Sequence, residues 1–147
     1  MPGTTRKIDV AGIHLGEEPS FIAIEVKCGL DGRIQDVPRQ LEEYLDIFDP
    51  DGGGLRPDVA ESYSRVCTQL LALGLDAPDP RHVTAGMPVE GLVVLGEYNQ
   101  RSRLLPRAHA LATTLSREMY LVDFQDDDYR IPPRGEWKLL GQSSSPT

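Results

Sequence analysis

Alternating apolar and polar positions predict a β-strand over residues 21–29, Phe-Ile-Ala-Ile-Glu-Val-Lys-Cys-Gly. One face of this strand is an unbroken apolar row, formed by Ile22, Ile24, Val26 and Cys28. The opposite face carries Glu25 and Lys27, which lie side by side because side chains two residues apart on a strand share a face. An ion pair on the surface of an edge strand is the simplest explanation of such a pair. A functional site is the alternative.

A second strand is predicted over residues 6–15, with Asp9 on the face opposite its own apolar row. Residues 16–20, Gly-Glu-Glu-Pro-Ser, have turn chemistry, so the two strands are expected to form a hairpin. Folding the hairpin about this turn brings Asp9 close to Glu25. If both apolar rows face the core, Asp9, Glu25 and Lys27 share the other face, and this juxtaposition favours a site.

The remainder of the chain predicts three helices and two further strands. The helices are expected over about 38–48, 57–74 and 101–117, and the strands over 89–96 and 119–124. The second helix is expected to bury an apolar stripe made of Val59, Tyr63, Val66, Leu70, Leu71 and Leu73. The order of elements predicts a small α/β domain, with a hairpin start followed by helical crossovers on a mixed sheet. We expect residues 1–140 to form one domain and residues 141–147 a flexible tail.

The chain is acidic, with a formal net charge of −8, but the charge is unevenly distributed. A net charge of this sign argues against a protein that coats nucleic acid by bulk attraction. The predicted third helix nevertheless carries four arginines and no acid, namely Arg101, Arg103, Arg107 and Arg117. These arginines can contact nucleic-acid phosphates, and solvated side chains on a helix are the equal alternative.

Targeting features are absent from the sequence pattern. The first five residues lack the apolar core of a signal peptide, and no apolar run approaches the roughly 20 residues of a membrane span. We therefore expect a cytoplasmic protein without membrane contact. Cys28 and Cys67 both fall in apolar patterns and are expected to be buried thiols rather than a disulfide or a metal pair.

Three short motifs in a fixed order carry a resemblance to a known family. Asp9 on the first hairpin strand is followed by Glu25-Val26-Lys27 on the second, and then by Gln40 and Tyr44 in the next helix. This arrangement resembles the PD-(D/E)XK nuclease superfamily, in particular the branch related to the RecB nuclease, which has a Gln-x-x-x-Tyr element in the matching helix. The resemblance covers about residues 6–48 and implies a restriction-endonuclease-like core.

The resemblance implies hydrolysis of DNA phosphodiester bonds, in repair, restriction or defence. Asp9, Glu25 and the main-chain carbonyl of Val26 are then expected to hold Mg²⁺ or Mn²⁺, whose preferred ligands are oxygens. Lys27 is expected to orient the attacking water or to offset charge on the phosphate. Gln40 and Tyr44 are expected to position Lys27 or the DNA backbone. The periodicity of the helix also fits Tyr44 as a core residue.

Two alternatives stand beside the nuclease. The superfamily fold opens with a helix before the hairpin, and only about five residues precede the first predicted strand here. A later helix of the same chain, a partner chain or a second copy in a homodimer is the expected replacement, and loss of the helix from the start of the chain is the remaining alternative. The first alternative is a catalytically inactive nuclease-fold module that binds nucleic acid or a protein partner. The second is a small α/β interaction domain in which Glu25 and Lys27 are merely paired.

Overall fold

The computed structural model describes residues 7–29, 32–99, 101–124 and 130–142. Within these residues, a five-stranded mixed β-sheet is flanked by three α-helices. The predicted α/β class is therefore confirmed. Most of the predicted flexible tail, residues 143–147, lies outside the described residues.

The strands occupy the sheet in chain order. They are β1 (Val10–His14), β2 (Ser20–Cys28), β3 (Val89–Gly96), β4 (Met119–Phe124) and β5 (Lys138–Leu139). The β1–β2 and β4–β5 pairs are antiparallel, whereas β2–β3 and β3–β4 are parallel. The predicted hairpin, the two later strands and the mixed sheet are confirmed. The two-residue strand β5 was not predicted.

The helices are α1 (Val37–Phe48), α2 (Pro57–Ala72) and α3 (Leu104–Ala112). Proline in the first turn helps to begin both α1 and α2. The third helix is much shorter than the predicted 101–117. It ends early because the hydroxyls of Thr113 and Thr114 donate hydrogen bonds to the carbonyls of Ala110 and Leu111.

One face of the sheet packs against α1 and α3. Buried apolar side chains of both layers meet there, among them Ala23, Leu41, Leu45, Val93, Leu95, Ala108 and Leu121. The helix α1 lies close against β3 at Gly91, where a Cβ atom would lie 2.9 Å from Cδ2 of Leu41. This close approach fixes the position of α1 over β2 and β3.

The opposite face of the sheet is covered over only part of its length. Trp137 packs there on a cluster that includes Ile22 and Ile24, and this part of the predicted apolar row is buried. Farther along β2, Val26 is 36% exposed and Cys28 is exposed. The prediction of a buried Cys28 is therefore wrong, because the cover that Trp137 provides does not extend to the end of the strand. Cys67, in contrast, is buried as predicted.

Helix α2 packs through a much narrower face than its sequence predicts. It lies against Phe21 at one end of the sheet, and its buried residues are Ala60 and Cys67. Three members of the predicted buried stripe are largely exposed, with Val66 at 48%, Leu71 at 46% and Leu73 at 74%. The prediction that these three positions are buried is wrong, because the rest of the protein covers only one narrow side of α2. No helix in the described ranges is both long enough and apolar enough to cross a membrane.

Candidate active site

Asp9 and Glu25 are brought together by the register of the β1–β2 hairpin. Val10 pairs with Ile24, so Asp9, the preceding residue, lies beside Glu25 at the start of β1. The main-chain N–H of Val26 donates a hydrogen bond of 2.9 Å to Oδ2 of Asp9. The Asp9 side chain thereby extends the hairpin pairing by one step. The predicted proximity of Asp9 and Glu25 is confirmed.

Glu25 and Lys27 are buried on the helix-facing side of β2. The residues are 1% and 7% exposed, and Nζ of Lys27 lies 3.5 Å from Oε2 of Glu25. β2 is also an interior strand, with β1 on one side and β3 on the other. The explanation as a surface ion pair on an edge strand is therefore wrong. Burying these charges is costly, because each must be removed from water.

The Glu25 carboxyl has an unusual protonation behaviour. Burial, followed by the negative charge and the hydrogen-bonding contact of Asp9, raises its pKa from 4.5 to about 7, against an opposing effect of Lys27. One carboxylate oxygen, Oε1 of Glu25, is buried and receives no hydrogen bond from any described residue. Two neighbouring carboxylates can only accept hydrogen bonds while both are ionised. A proton or a cation between them satisfies this arrangement.

Gln40 and Tyr44 contact each other at the edge of this site. Nε2 of Gln40 donates a hydrogen bond of 3.2 Å to the Tyr44 hydroxyl, and that hydroxyl donates a hydrogen bond to the main-chain carbonyl of Lys7. Tyr44 is 4% exposed and belongs to the core, so its periodicity was interpreted correctly. Lys7 is two residues before Asp9, so Tyr44 anchors the segment that carries Asp9. Sequence reasoning missed Lys7 because a main-chain carbonyl leaves no signal in residue type.

Val26 presents main-chain groups to the same side of the sheet as Asp9. Its N–H points across the hairpin to Asp9, and on a strand the carbonyl of a residue points to the same side as its N–H. The Val26 carbonyl is therefore directed toward the edge where Asp9 lies. Its side chain is on the opposite face and takes no part in the site.

The donor set fits a hard divalent cation that keeps part of its hydration shell. Mg²⁺ is commonly bound through one or two carboxylates, with water and substrate oxygens completing the octahedron. Asp9, Glu25 and the Val26 carbonyl supply oxygen ligands of this kind, and Oε1 of Glu25 lacks a donor. No group of three or more His, Cys, Asp or Glu side chains arranged for a metal occurs in the described part of the chain. Among the described residues, the side chains that the site offers to a cation are thus the two carboxylates of Asp9 and Glu25.

The four arginines predicted to meet phosphates do not form one helical patch. Of these, only Arg107 lies within α3, where Nη1 is 3.5 Å from the side-chain oxygen of Gln35. Arg117 lies beyond the helix and is engaged internally, with Nε 2.8 Å from Asp46 and a guanidinium contact to Asp49. Arg101 and Arg103 precede the helix and are exposed. The prediction of one arginine surface on a helix over 101–117 is therefore wrong. Arg117 forms ion pairs with Asp46 and Asp49 instead of facing solvent with the other arginines.

Comparisons with protein-family models, with curated proteins and with solved structures find no match to this chain. The resemblance to the PD-(D/E)XK superfamily thus rests on the motif residues themselves. Of these residues, Asp9, Glu25 and Lys27 lie together, and the Gln40–Tyr44 pair lies next to the segment that leads into Asp9.

Proposed function

We propose that this chain is a metal-dependent nuclease domain of PD-(D/E)XK type that hydrolyses DNA phosphodiester bonds. The observation that supports it best is the buried Glu25 carboxyl beside Asp9, with one oxygen that receives no hydrogen bond within the part of the chain that the structure describes. Burying a carboxyl whose pKa is raised so far does not stabilise the fold, so a purely structural role does not explain it. Strongly perturbed ionisable groups of this kind are concentrated at functional sites.

The residues of the site take distinct roles in this proposal. Asp9 and Glu25, with the Val26 carbonyl, would hold Mg²⁺ or Mn²⁺, which when bound supplies an activated water and offsets charge on the phosphate. Lys27 adds a positive charge beside Glu25, where it can stabilise negative charge that develops on the scissile phosphate. Asp9 is exposed, so the site opens to substrate on its side.

Gln40 and Tyr44 act as positioning residues in the same proposal. Their hydrogen bonds run from α1 to the Lys7 carbonyl and hold the strand start that carries Asp9. The position of one metal ligand therefore depends on α1. Catalytic groups must be held to within a fraction of an ångström, so loosening this anchor is expected to reduce the rate without removing a ligand.

An inactive nuclease-fold module that binds nucleic acid or a protein partner is the second candidate. The burial of Lys27, 7% exposed and paired with Glu25, favours it, because a catalytic ammonium must reach the scissile phosphate. Burial and pairing with Glu25 would keep the Lys27 ammonium from the phosphate and so lower activity, while the fold stays intact.

The test is DNA cleavage with Mg²⁺ or Mn²⁺, using supercoiled plasmid and single-stranded DNA. Wild type is compared with the near-isosteric variants Asp9→Asn, Glu25→Gln and Lys27→Met, and with Glu61→Gln on the exposed side of α2 as a matched control. We expect metal-dependent cleavage by wild type and by Glu61→Gln, and a loss of about 10²-fold or more in the three site variants. Cleavage that survives in all three overturns the proposed site. Mn²⁺ binding without cleavage by wild type favours the inactive module.

A further inference from the structure

A large open cavity lies on the face of the sheet opposite Glu25. Its volume is about 950 Å³, and the side chains of Ile22, Ile24 and Leu92 form its floor. Because successive side chains of a strand point to opposite faces, Ile24 faces this cavity whereas Glu25 faces α1. A cavity of this size accommodates a drug-sized molecule. The cavity is therefore separate from the candidate active site.

One wall of the cavity is the segment 131–137, which is held in place by its own hydrogen bonds and by the sheet. Nε1 of Trp137 donates a hydrogen bond of 2.9 Å to the Pro132 carbonyl, so the two ends of the segment are joined. The Arg134 guanidinium forms an ion pair with the Glu90 carboxylate on β3. The wall is thus formed before any ligand binds, which lowers the entropic cost of binding.

Gly12 keeps the floor of the cavity open on the β1 side. It pairs with Ile22, so the two residues share the sheet face that lines the cavity. A Cβ atom on Gly12 would meet no other atom within 4 Å, and the φ of Gly12 lies outside the left-handed region. Neither close packing nor backbone geometry therefore requires glycine here. A glycine inside a strand weakens the strand and often marks a place where a ligand comes close.

The unbalanced charge at the cavity is negative. Glu17 and Glu18, in the turn between β1 and β2, line its rim and are exposed. Neither carboxylate forms an ion pair with a described residue. The Arg134 guanidinium also lines the cavity, but the Glu90 carboxylate balances its charge. Two carboxylates at the mouth of an apolar cavity favour a ligand with a cationic group.

Trp137 gives the cavity an aromatic surface. Its indole lines the cavity beside the His14 ring, and the centroids of the two rings are 5.4 Å apart. The face of an indole attracts cations, and the attraction is greater where solvent is excluded. We propose that the cavity binds a small molecule with an apolar body and an ammonium head. The body lies on the apolar floor, and the ammonium lies at the rim beside Glu17 and Glu18.

The first test uses the fluorescence of Trp137, which is the only tryptophan of the chain and therefore reports binding at this cavity. Phenylbutylamine, phenylbutanol and phenylbutyrate share one apolar body and differ in the charge of the head group. Each is titrated into the full chain, and isothermal titration calorimetry provides a second measure of affinity. We expect the amine to bind about tenfold more tightly than the alcohol, and the butyrate to bind most weakly.

Gly12→Val tests the cavity itself. The added side chain would enter the open volume, and valine suits a strand, so the variant should fold normally. All three probes should lose affinity by about tenfold or more. Gly53→Val is the matched control, because a Cβ there is equally unobstructed but Gly53 does not line the cavity. Circular dichroism checks that both variants are folded.

The double variant Glu17→Gln with Glu18→Gln tests the contact with the ammonium. The amine should lose its advantage and bind about as tightly as the alcohol, because the two carboxylates act only on a charged head. The affinity of the alcohol should not change. Asp51→Asn with Glu61→Gln removes two exposed carboxylates that do not line the cavity, and controls for the net charge of the chain.

Three outcomes would overturn the proposal. The first is an absence of amine binding at millimolar concentration by both methods. The second is amine binding that survives Gly12→Val, which would direct attention to the exposed apolar end of α2 at Leu71 and Leu73. The third is equal binding of the amine and the alcohol by wild type, which would rule out a cationic ligand. The cavity and Glu25 lie on opposite faces of the sheet, so this proposal and the proposed nuclease activity succeed or fail separately.

Discussion

The Tyr44 hydroxyl donates a hydrogen bond to the main-chain carbonyl of Lys7, which joins helix α1 to the segment leading into Asp9. The bond is partly buried, since Tyr44 is 4% exposed whereas Lys7 is exposed. It gives α1 two roles, because the same helix packs on the sheet core and holds one side of the candidate site. A change in this hydroxyl should therefore affect both stability and the site.

Tyr44→Phe should lower the free energy of unfolding by about 1 kcal/mol, because it leaves the Lys7 carbonyl without its donor. Under the proposed function it should also weaken Mn²⁺ binding, since Asp9 becomes less well held. The measurements are urea denaturation and Mn²⁺ titration. Tyr63→Phe is the control, because the Tyr63 hydroxyl makes no hydrogen bond to other described residues and its ring packs on Phe21. Equal effects of the two substitutions would contradict an anchoring role for Tyr44.

Glu25 should make the fold less stable as the pH rises. Its pKa is raised from 4.5 to about 7 in the folded chain, so between these values the native state holds a proton that the unfolded state has released. The contribution of Glu25 to stability is then greatest below pH 4.5 and falls through this window, by about 3 kcal/mol in total. Glu25→Gln should remove this decline and be more stable than wild type above pH 7.

Chemical denaturation across the same pH range measures this effect. The control is Glu61→Gln, which changes an exposed carboxylate of α2 and should keep the wild-type profile. A wild-type stability that is flat through this window, or a Glu25→Gln variant with an unchanged decline, would rule out Glu25 as the source. Metal ions must be excluded by a chelator, because a bound cation would favour the ionised carboxyl.

Gly91 should be intolerant of a side chain because α1 lies directly against it. The added methyl group of Gly91→Ala would lie 2.9 Å from Cδ2 of Leu41 and 3.2 Å from Cδ1 of Leu45. We expect a loss of about 1–3 kcal/mol as α1 is displaced from β3. Gly53→Ala, where a Cβ meets nothing within 4 Å, should change stability by less than about 0.5 kcal/mol. Thermal denaturation of both variants tests this, and a neutral Gly91→Ala would contradict the close packing.

Arg117 should be a stability residue rather than a nucleic-acid contact. Its guanidinium bonds to the Asp46 carboxylate and to the side chain and main-chain carbonyl of Asp49, which is 6% exposed. Arg117→Gln should cost about 2 kcal/mol, because Asp49 is then buried without its charged partner. Arg101→Gln changes an exposed arginine and should be nearly neutral. DNA binding that falls in Arg117→Gln, with stability unchanged, would restore the phosphate-contact hypothesis.

The hairpin that carries the candidate site could be predicted because its signals are local. The alternation on β2 and the turn before it bring Asp9 beside Glu25, and a few residues suffice for that inference. The burial of Glu25 and Lys27 could not be predicted, because it depends on α1 packing over β2. A charged pair on a strand favours a solvent-facing interpretation unless that helix is known to cover it.

Long-range partners explain the other differences. Arg117 resembled a surface cation because Asp46 and Asp49, which bind it, lie on and just after α1, far away in the sequence. The strand β5 has only two residues and forms because β4 is available beside it. Periodicity overestimated the burial of α2 for a similar reason, since apolar spacing indicates which side of a helix prefers burial and not whether another layer covers it.

Mn²⁺ affinity should depend on pH through the Glu25 proton, if the proposed cation site is correct. Below a pKa of about 7 the cation must displace this proton, so affinity should fall up to about tenfold per pH unit and level off above it. Titration from about pH 5.5 to about pH 8 measures the slope. Asp9→Asn keeps the burial of Glu25 but removes a neighbouring negative charge, so it should bind Mn²⁺ weakly and with a transition at lower pH. A wild-type affinity that is the same throughout this range would mean that Mn²⁺ binds elsewhere, and the Asp9–Glu25 pair would then hold a proton rather than a metal.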